Sequence, residues 1–206
     1  MAFTNKKFIS ICDTLATKDP DLKSIISTYG YPPFWKRAAT FETLIHIILE
    51  QQVSLASAMA ALNKLKERII EITPQNLLLL SDEEMKLCYF SRQKITYSRH
   101  LAQELINNRL NLHELNTLDD DAVRDRLTKI KGIGNWSVDV YLMMVLQRTN
   151  VFPLGDIALV KSVKETKGLS KETSRKAIAL IAEKWKPYQT IAAFILWHAY
   201  ISKRKQ

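Results

Sequence analysis

The chain has 206 residues, with 30 lysines and arginines against 21 aspartates and glutamates, a formal net charge of +9. Hydrophobic residues make up 47% of it, which excludes a disordered basic tail, since chains that stay unfolded are those unable to bury apolar surface. A mean hydropathy of -0.13 and the lack of any uncharged apolar run of about 18 residues exclude a membrane-spanning helix. The opening MAFTNKKFISICDTLATKDP places charges after only a few apolar residues and does not read as a secretory signal. Two cysteines, Cys12 and Cys88, can neither build a disulfide framework nor supply the four thiolates of an iron–sulfur cluster, so a reducing, intracellular setting is expected. The excess positive charge points to a polyanion, nucleic acid first and an anionic membrane surface second.

In chain order, helical sequence begins within the first forty residues. Phe41, Leu44, Ile45 and Ile48 recur at helical spacing, as do Leu62, Leu65 and Ile69. Ser81-Asp82-Glu83-Glu84 has the form of a capping box, a hydroxyl followed three residues later by a carboxylate, so a helix is predicted to start there. Further helices are predicted over Lys94–Arg109, over Asp119–Ile130 with three aspartates at its positive end, and over Asn135–Gln147. Lys171–Glu183 and Thr190–Ser202 complete the set, and Lys203-Arg204-Lys205 reads as a solvated basic tail. Pro32-Pro33 and Pro74 punctuate the first half, and Val151–Gly155 reads as a stiff loop in the second. Strand-like alternation is scarce. The reading is an all-α protein, with a central bundle over residues 40–150 and a second lobe made by residues 1–39 together with 151–206.

Lys131-Gly132-Ile133-Gly134 joins two predicted helices with almost no slack. Glycine permits positive φ and close backbone approach, and Ile133 between the glycines would pin the turn to a core. The helix that follows directs its first N–H groups and its dipole at the turn, an arrangement suited to phosphate, although a tight αα-hairpin needs no ligand to explain it. Twenty-two residues beyond Gly134 stands Asp156, in Pro153-Leu154-Gly155-Asp156, just before the apolar run Ile157–Val160. By itself Asp156 reads equally as a helix N-cap. The four histidines, His46, His100, His113 and His198, have no metal-ligand spacing with one another or with the cysteines, and His46 reads as a core histidine.

FETLIHIILEQQVSLASA, SRQKITYSRHLA, the glycine hairpin with its Gly-Asp, and WKPYQTIAAFILW together resemble the helix-hairpin-helix, Gly/Pro-Asp superfamily of base-excision DNA glycosylases, in its alkylation-repair branch. The resemblance runs from about Phe41 to Trp197. It implies two helical lobes with an active-site cleft between them, and a monomer acting on double-stranded DNA with alkylated bases. The implied reaction is base flipping followed by hydrolysis of the N-glycosidic bond of purines such as 3-methyladenine or 7-methylguanine, leaving an abasic site. Gly132, Ile133 and Gly134 would hold backbone phosphates through main-chain amides, in that family often with an alkali cation on hairpin carbonyls. Asp156 would be the essential carboxylate, stabilising the oxocarbenium-like charge on the sugar and handling the water. Trp136 stands where bifunctional relatives carry a Schiff-base lysine, which implies no AP lyase activity. Trp136 and Trp197 would line the base pocket, since an indole face attracts a cationic base, with Tyr141 as a further pocket residue. Gln52 would fill the gap left by the flipped base, with Gln51 beside it; both residues also suit the end of a helix. Arg92 and Lys94 would suit phosphate contact or packing, and Asp139 a hydrogen bond to the base or to a neighbouring helix, the second being the favoured reading. No iron–sulfur loop, β-rich N-terminal domain or membrane partner is implied. The compartment is cytoplasmic in a prokaryote and nuclear in a eukaryote. The rival reading is a non-catalytic module that binds damaged or branched DNA.

Overall fold

Amphipathic runs separated by capping residues favour a stack of short helices, and the computed structural model, which describes residues 2–204, is built that way. Twelve α-helices are found among the described residues. The first six are α1 (Asn5–Lys18), α2 (Pro20–Tyr29), α3 (Phe41–Glu50), α4 (Leu55–Arg68), α5 (Pro74–Leu79) and α6 (Asp82–Leu87). They are followed by α7 (Arg92–Ile106), α8 (Asp120–Thr128), α9 (Asn135–Met144), α10 (Ile157–Thr166), α11 (Arg175–Glu183) and α12 (Gln189–Ser202). No strand occurs among these residues, only an isolated bridge between Ala2 and Arg148. No described helix is long and apolar enough to cross a membrane. Lys205, part of the expected basic tail, lies outside the described residues.

Local chemistry sets the boundaries. Thr40, Ser54, Thr73, Ser91, Asp119, Asp156 and Ser174 each accept the N–H three residues on, and the predicted capping box of Ser81 and Glu84 forms in full. Each such cap contributes about 1 kcal/mol. Pro74 is not a break but the first residue of α5, where its missing N–H costs nothing, and Pro20 opens α2 in the same way. Helix α11 starts four residues later than predicted, because Ser174 rather than Lys171 supplies the cap. Helix α9 ends three residues early: Gln147, at φ 52°, turns its amide back onto the carbonyls of Met143 and Met144 at 2.8 and 3.1 Å.

The chain separates into two compact units. One comprises the chain up to Lys36 together with the chain from Leu142 onward, and the other is Arg37–Tyr141. The second division therefore falls inside α9, nine residues before the break expected at residue 150. The end of α9 is tied into the terminal unit. Leu142 and Met143 are fully buried, the Arg148 N–H donates to Leu142 O at 2.9 Å, and the Phe3 N–H donates to Gln147 O at 2.9 Å.

In the terminal unit, α12 is buried along the whole stretch Gln189–Trp197, so its apolar character all round reflects a central position. Helices α10, α2 and α1 pack against it. Phe3, Phe8, Phe34, Trp35 and Phe194 form an aromatic cluster with ring centroids 5.2–6.3 Å apart. A polar knot sits at the start of α2. Asp19 caps that helix, accepts from Trp185 Nε1 at 2.8 Å, and accepts from Lys167 Nζ on both oxygens at 2.7 Å. In the central unit α3 is the buried element, against α4 and α7. Its C-terminal carbonyl at Leu49 takes Lys94 Nζ at 2.6 Å, and its Glu50 takes the Arg37 guanidinium in a bidentate pair at 2.6 and 2.8 Å. Burial lowers the Lys94 pKa, and its ammonium is held on the Leu49 carbonyl, with Arg92 left exposed two residues before it.

Burial alone would raise the Asp19 carboxyl, but the hydrogen bonds from Lys167 and Trp185 outweigh it and hold it below the ordinary aspartate range. A depressed folded-state value stabilises the protein above the unfolded value, ~3.9, and that contribution is lost as pH falls through the folded one. Asp19→Asn, which keeps the cap and removes the charge, is expected to lower stability by about 1–3 kcal/mol at pH 7. Denaturant unfolding at several pH values should show the gap to wild type closing below about pH 4. A gap independent of pH would show that the charge contributes nothing.

Candidate active site and nucleic-acid interface

The terminal unit holds the carboxylate. Asp156 ends the loop Val151–Gly155 and caps α10, its Oδ1 accepting the Leu159 N–H at 2.7 Å. The same Oδ1 accepts Trp197 Nε1, from α12, at 3.1 Å. Ser162, one and a half turns further along α10, donates to Leu196 O at 2.6 Å and locks the two helices in register. Asp156 is thus both a cap and the hydrogen-bond partner of Trp197, which the sequence placed only in the base pocket. Its side chain is half-buried rather than sealed away. Trp197 is 8% exposed and rests on Phe194, nearly parallel at 6.0 Å, with Trp35 edge-on at 6.4 Å. This aromatic bed fixes the ring that donates to the carboxylate. Nothing in the sequence pattern marked Trp35 as part of it.

The central unit holds the hairpin. Ile133 is buried and donates its N–H to Ile130 O at 3.0 Å, while Gly134 O accepts the Val138 N–H at 3.1 Å, the first turn of α9. Gly132 takes φ 92°, and a Cβ there would overlap the Tyr97 ring. Only glycine fits. Gly134 is different: it is exposed and a Cβ would meet open space, so packing within the chain does not require glycine there. Arg124 of α8 reaches across to α9, with Nη2 on Asp139 Oδ1 at 2.6 Å and Nη1 near Asn135 Oδ1 at 3.5 Å. Asp139 is therefore the helix-to-helix residue expected; burial raises its pKa despite the guanidinium. Trp136, in the first turn of α9, is half-buried, and Lys129 and Lys131 are exposed.

The turn after α3 is tied to this hairpin. Gln51 Nε2 donates to Gly132 O at 2.8 Å and to Ser137 Oγ at 3.0 Å, spanning some eighty residues of sequence. From sequence Gln51 is only a neighbour of Gln52 or a helix end, because a single long-range amide contact leaves no periodic signal. Gln52 is exposed and held at φ 58°, a left-handed backbone that costs a non-glycine residue of order 1 kcal/mol. A pocket of about 290 Å³ lies beside this turn, lined by Leu49, Val53, Ser57, Tyr89 and Lys94 among others. Tyr141 is fully buried, its hydroxyl pKa pushed up to about 12 by burial, and it offers a base no surface in this arrangement. Among the described residues no group of histidine, cysteine, aspartate or glutamate side chains could hold a metal ion.

A profile of HhH-GPD superfamily base excision DNA repair proteins matches residues 45–187. DNA-3-methyladenine glycosylase 1 of Schizosaccharomyces pombe is 28% identical over 190 residues, covering 89% of this chain and 83% of the relative. YfjP of Bacillus subtilis is 26% identical over 190 residues, covering 86% of this chain and 65% of YfjP, so the chain spans just under two thirds of that relative's length. The structure of the S. pombe 3-methyladenine DNA glycosylase Mag1 in complex with abasic DNA is similar at a TM-score of 0.84 and 27% identity, covering 91% of this chain and 95% of Mag1. With the profile spanning more than half of the sequence, the chain belongs to the HhH-GPD superfamily of base-excision DNA repair proteins.

Proposed function

We propose that this protein is a monofunctional DNA glycosylase that flips an alkylated purine, of the 3-methyladenine or 7-methylguanine type, out of the duplex and hydrolyses its N-glycosidic bond. The observation that carries the reading is the double use of Asp156 Oδ1 by the Leu159 N–H and the Trp197 indole. Two donors from different helices fix the carboxylate's orientation, and a fixed negative group opposite a developing positive charge is the most effective form of electrostatic catalysis. The C1′–N bond breaks, the alkylated base leaves with the electron pair that cancels its positive charge, and water adds to C1′ with its proton passing to Asp156. An alkylated base is a good leaving group and needs no strong general acid. The half-buried Trp136 face favours its charge by ~0.5–2 kcal/mol, while Trp197 acts by orienting Asp156.

Gly132, Ile133 and Gly134 present the hairpin to the phosphate backbone, and Gly134, unconstrained by packing, is the point of closest approach. A hard alkali cation would take only main-chain oxygen here. Main-chain carbonyls of the hairpin, such as Ile130 O and Gly132 O, would be its ligands. Gln52, projected by its left-handed backbone, fills the vacated stack, and Gln51 sets its place relative to the hairpin. Trp136 has no amine with which to form a Schiff base, so the product is an intact strand bearing an abasic site. The protein acts as a monomer, in the cellular compartment that holds the DNA.

Asparagine is as good an N-cap as aspartate and keeps an oxygen for the Trp197 indole, so Asp156→Asn should change stability by less than about 1 kcal/mol. Its release of methylated bases from alkylated duplex DNA should fall on the order of 10²-fold or more, while DNA binding persists. Wild-type rates of release by Asp156→Asn would remove the carboxylate from the chemistry. Binding without release by either protein would favour the non-catalytic damaged-DNA reading. Gln51→Ala, which cuts the turn from the hairpin, should weaken binding to abasic duplex by about 5-fold, the worth of roughly 1 kcal/mol, in a titration.

A further inference from the structure

Charge is divided unevenly along the chain. The terminal segments, up to residue 36 and from 142 onward, carry 17 lysines and arginines against 7 acidic residues, whereas residues 37–141 carry 13 against 14. The net charge of +9 therefore belongs to the terminal unit, and the unit that bears the hairpin is close to neutral. Within the terminal unit one cluster gathers cations in excess of their partner. Lys161 Nζ, Lys203 Nζ and Arg204 Nη2 approach the two oxygens of Glu165 at 4.0, 3.8 and 3.7 Å. These are loose contacts beside the 2.6–2.8 Å pairs of Arg37 with Glu50, Arg124 with Asp139 and Lys167 with Asp19. All three cations remain well exposed. Arg204 is additionally held with its guanidinium 3.4 Å from the Tyr200 ring centroid, which orders it at a surface where a free arginine would be mobile.

Helix stabilisation accounts for only part of this arrangement. Arg204 Nη1 also donates to Tyr200 O at 2.9 Å and so helps to close the C-terminus of α12, but that bond does not use the other two cations. Lys161 precedes Glu165 by four residues, the less favourable order for an i,i+4 pair. One carboxylate cannot neutralise three cations, and the surplus faces water. Glu165 lies nine residues along α10 from Asp156, about 13 Å at 1.5 Å per residue. Because α10 packs on α12, the cluster sits at the far end of the same helix pair that holds the Asp156–Trp197 contact.

We propose that Lys161, Lys203 and Arg204 form a second phosphate-binding surface, which engages the DNA backbone a few nucleotides from the lesion and supplies much of the sequence-independent affinity. This inference rests on the glycosylase reading for its partner. Glu165 collects the three cations in the free protein and competes with the incoming phosphates.

The test is the salt dependence of binding to undamaged duplex, followed by fluorescence anisotropy between ~50 and ~200 mM salt, because each phosphate contact contributes about 0.9 to the slope of log K against log salt. The combined variant Lys161→Gln, Lys203→Gln, Arg204→Gln should reduce the slope by about 2–3, while single-turnover base release at saturating protein stays at the wild-type rate. A control with the same charge change on the same unit, Lys6→Gln, Lys7→Gln, Lys23→Gln, should keep the wild-type slope. Glu165→Gln should tighten binding. An unchanged slope in the first variant, or an equal fall in the control, overturns the proposal while leaving the glycosylase reading intact. Loss of binding to anionic lipid vesicles with an unchanged DNA slope would assign the cluster to a membrane and overturn it as well. Failure of the wild type to bind duplex at all would overturn both readings.

Discussion

Oxygen Oδ1 of Asp156 accepts a local hydrogen bond from the Leu159 N–H at 2.7 Å and a distant one from the Trp197 indole at 3.1 Å, and the candidate chemistry depends on that sharing. The first bond makes the aspartate the start of α10, so its position is as firm as the helix. The second fixes the direction of the carboxylate against a ring that itself packs on Phe194 and Trp35. Ser162 Oγ on Leu196 O then keeps α10 and α12 from sliding past each other. A helix cap and a reactive carboxylate are often weighed as alternatives. Here one side chain serves as both in the proposed reaction, with capping as the means of holding the carboxylate.

The central unit uses the opposite device. Its hairpin is defined by what is kept out: a side chain at Gly132 would overlap Tyr97, and Ile133 is buried while Gly134 is exposed. Arg124 pins α8 to α9 through Asp139, and Gln51 pins the turn after α3 to the carbonyl of Gly132. Gln52, next in the chain, stands exposed in a left-handed conformation that only its anchored neighbours make tolerable. Backbone rigidity in this unit and carboxylate rigidity in the other are what a reaction on an extruded nucleotide requires.

Much of this was legible in the sequence because it follows local rules. Helical periodicity located α3, α4, α7, α8, α9, α11 and α12, and the Ser81–Glu84 capping box forms as its spelling predicts. The errors are also local in origin. Pro74 opens α5 rather than punctuating the chain, because proline is favoured at the first helical position, and α9 ends before its predicted end because the reversed amide of Gln147 has no periodic signature. The glycine hairpin and the Gly-Asp pair stand out in the sequence, but their roles come from the family resemblance. What the sequence did not reveal is tertiary: the hold of Gln51 on the hairpin, the place of Trp35 under Trp197, the complete burial of Tyr141, and the three cations converging on Glu165. None of these contacts connects residues at a fixed spacing, so no pattern along the chain announces them.

The central claim is that this chain hydrolyses a glycosidic bond and leaves the sugar–phosphate backbone whole. The most direct measurement is to incubate the protein with an alkylated, end-labelled duplex and resolve the strands before and after alkali. The account predicts full-length strands before treatment and cleavage at the former lesions after it. Strands nicked without alkali would contradict the monofunctional mechanism, and strands that survive alkali would contradict glycosylase activity altogether.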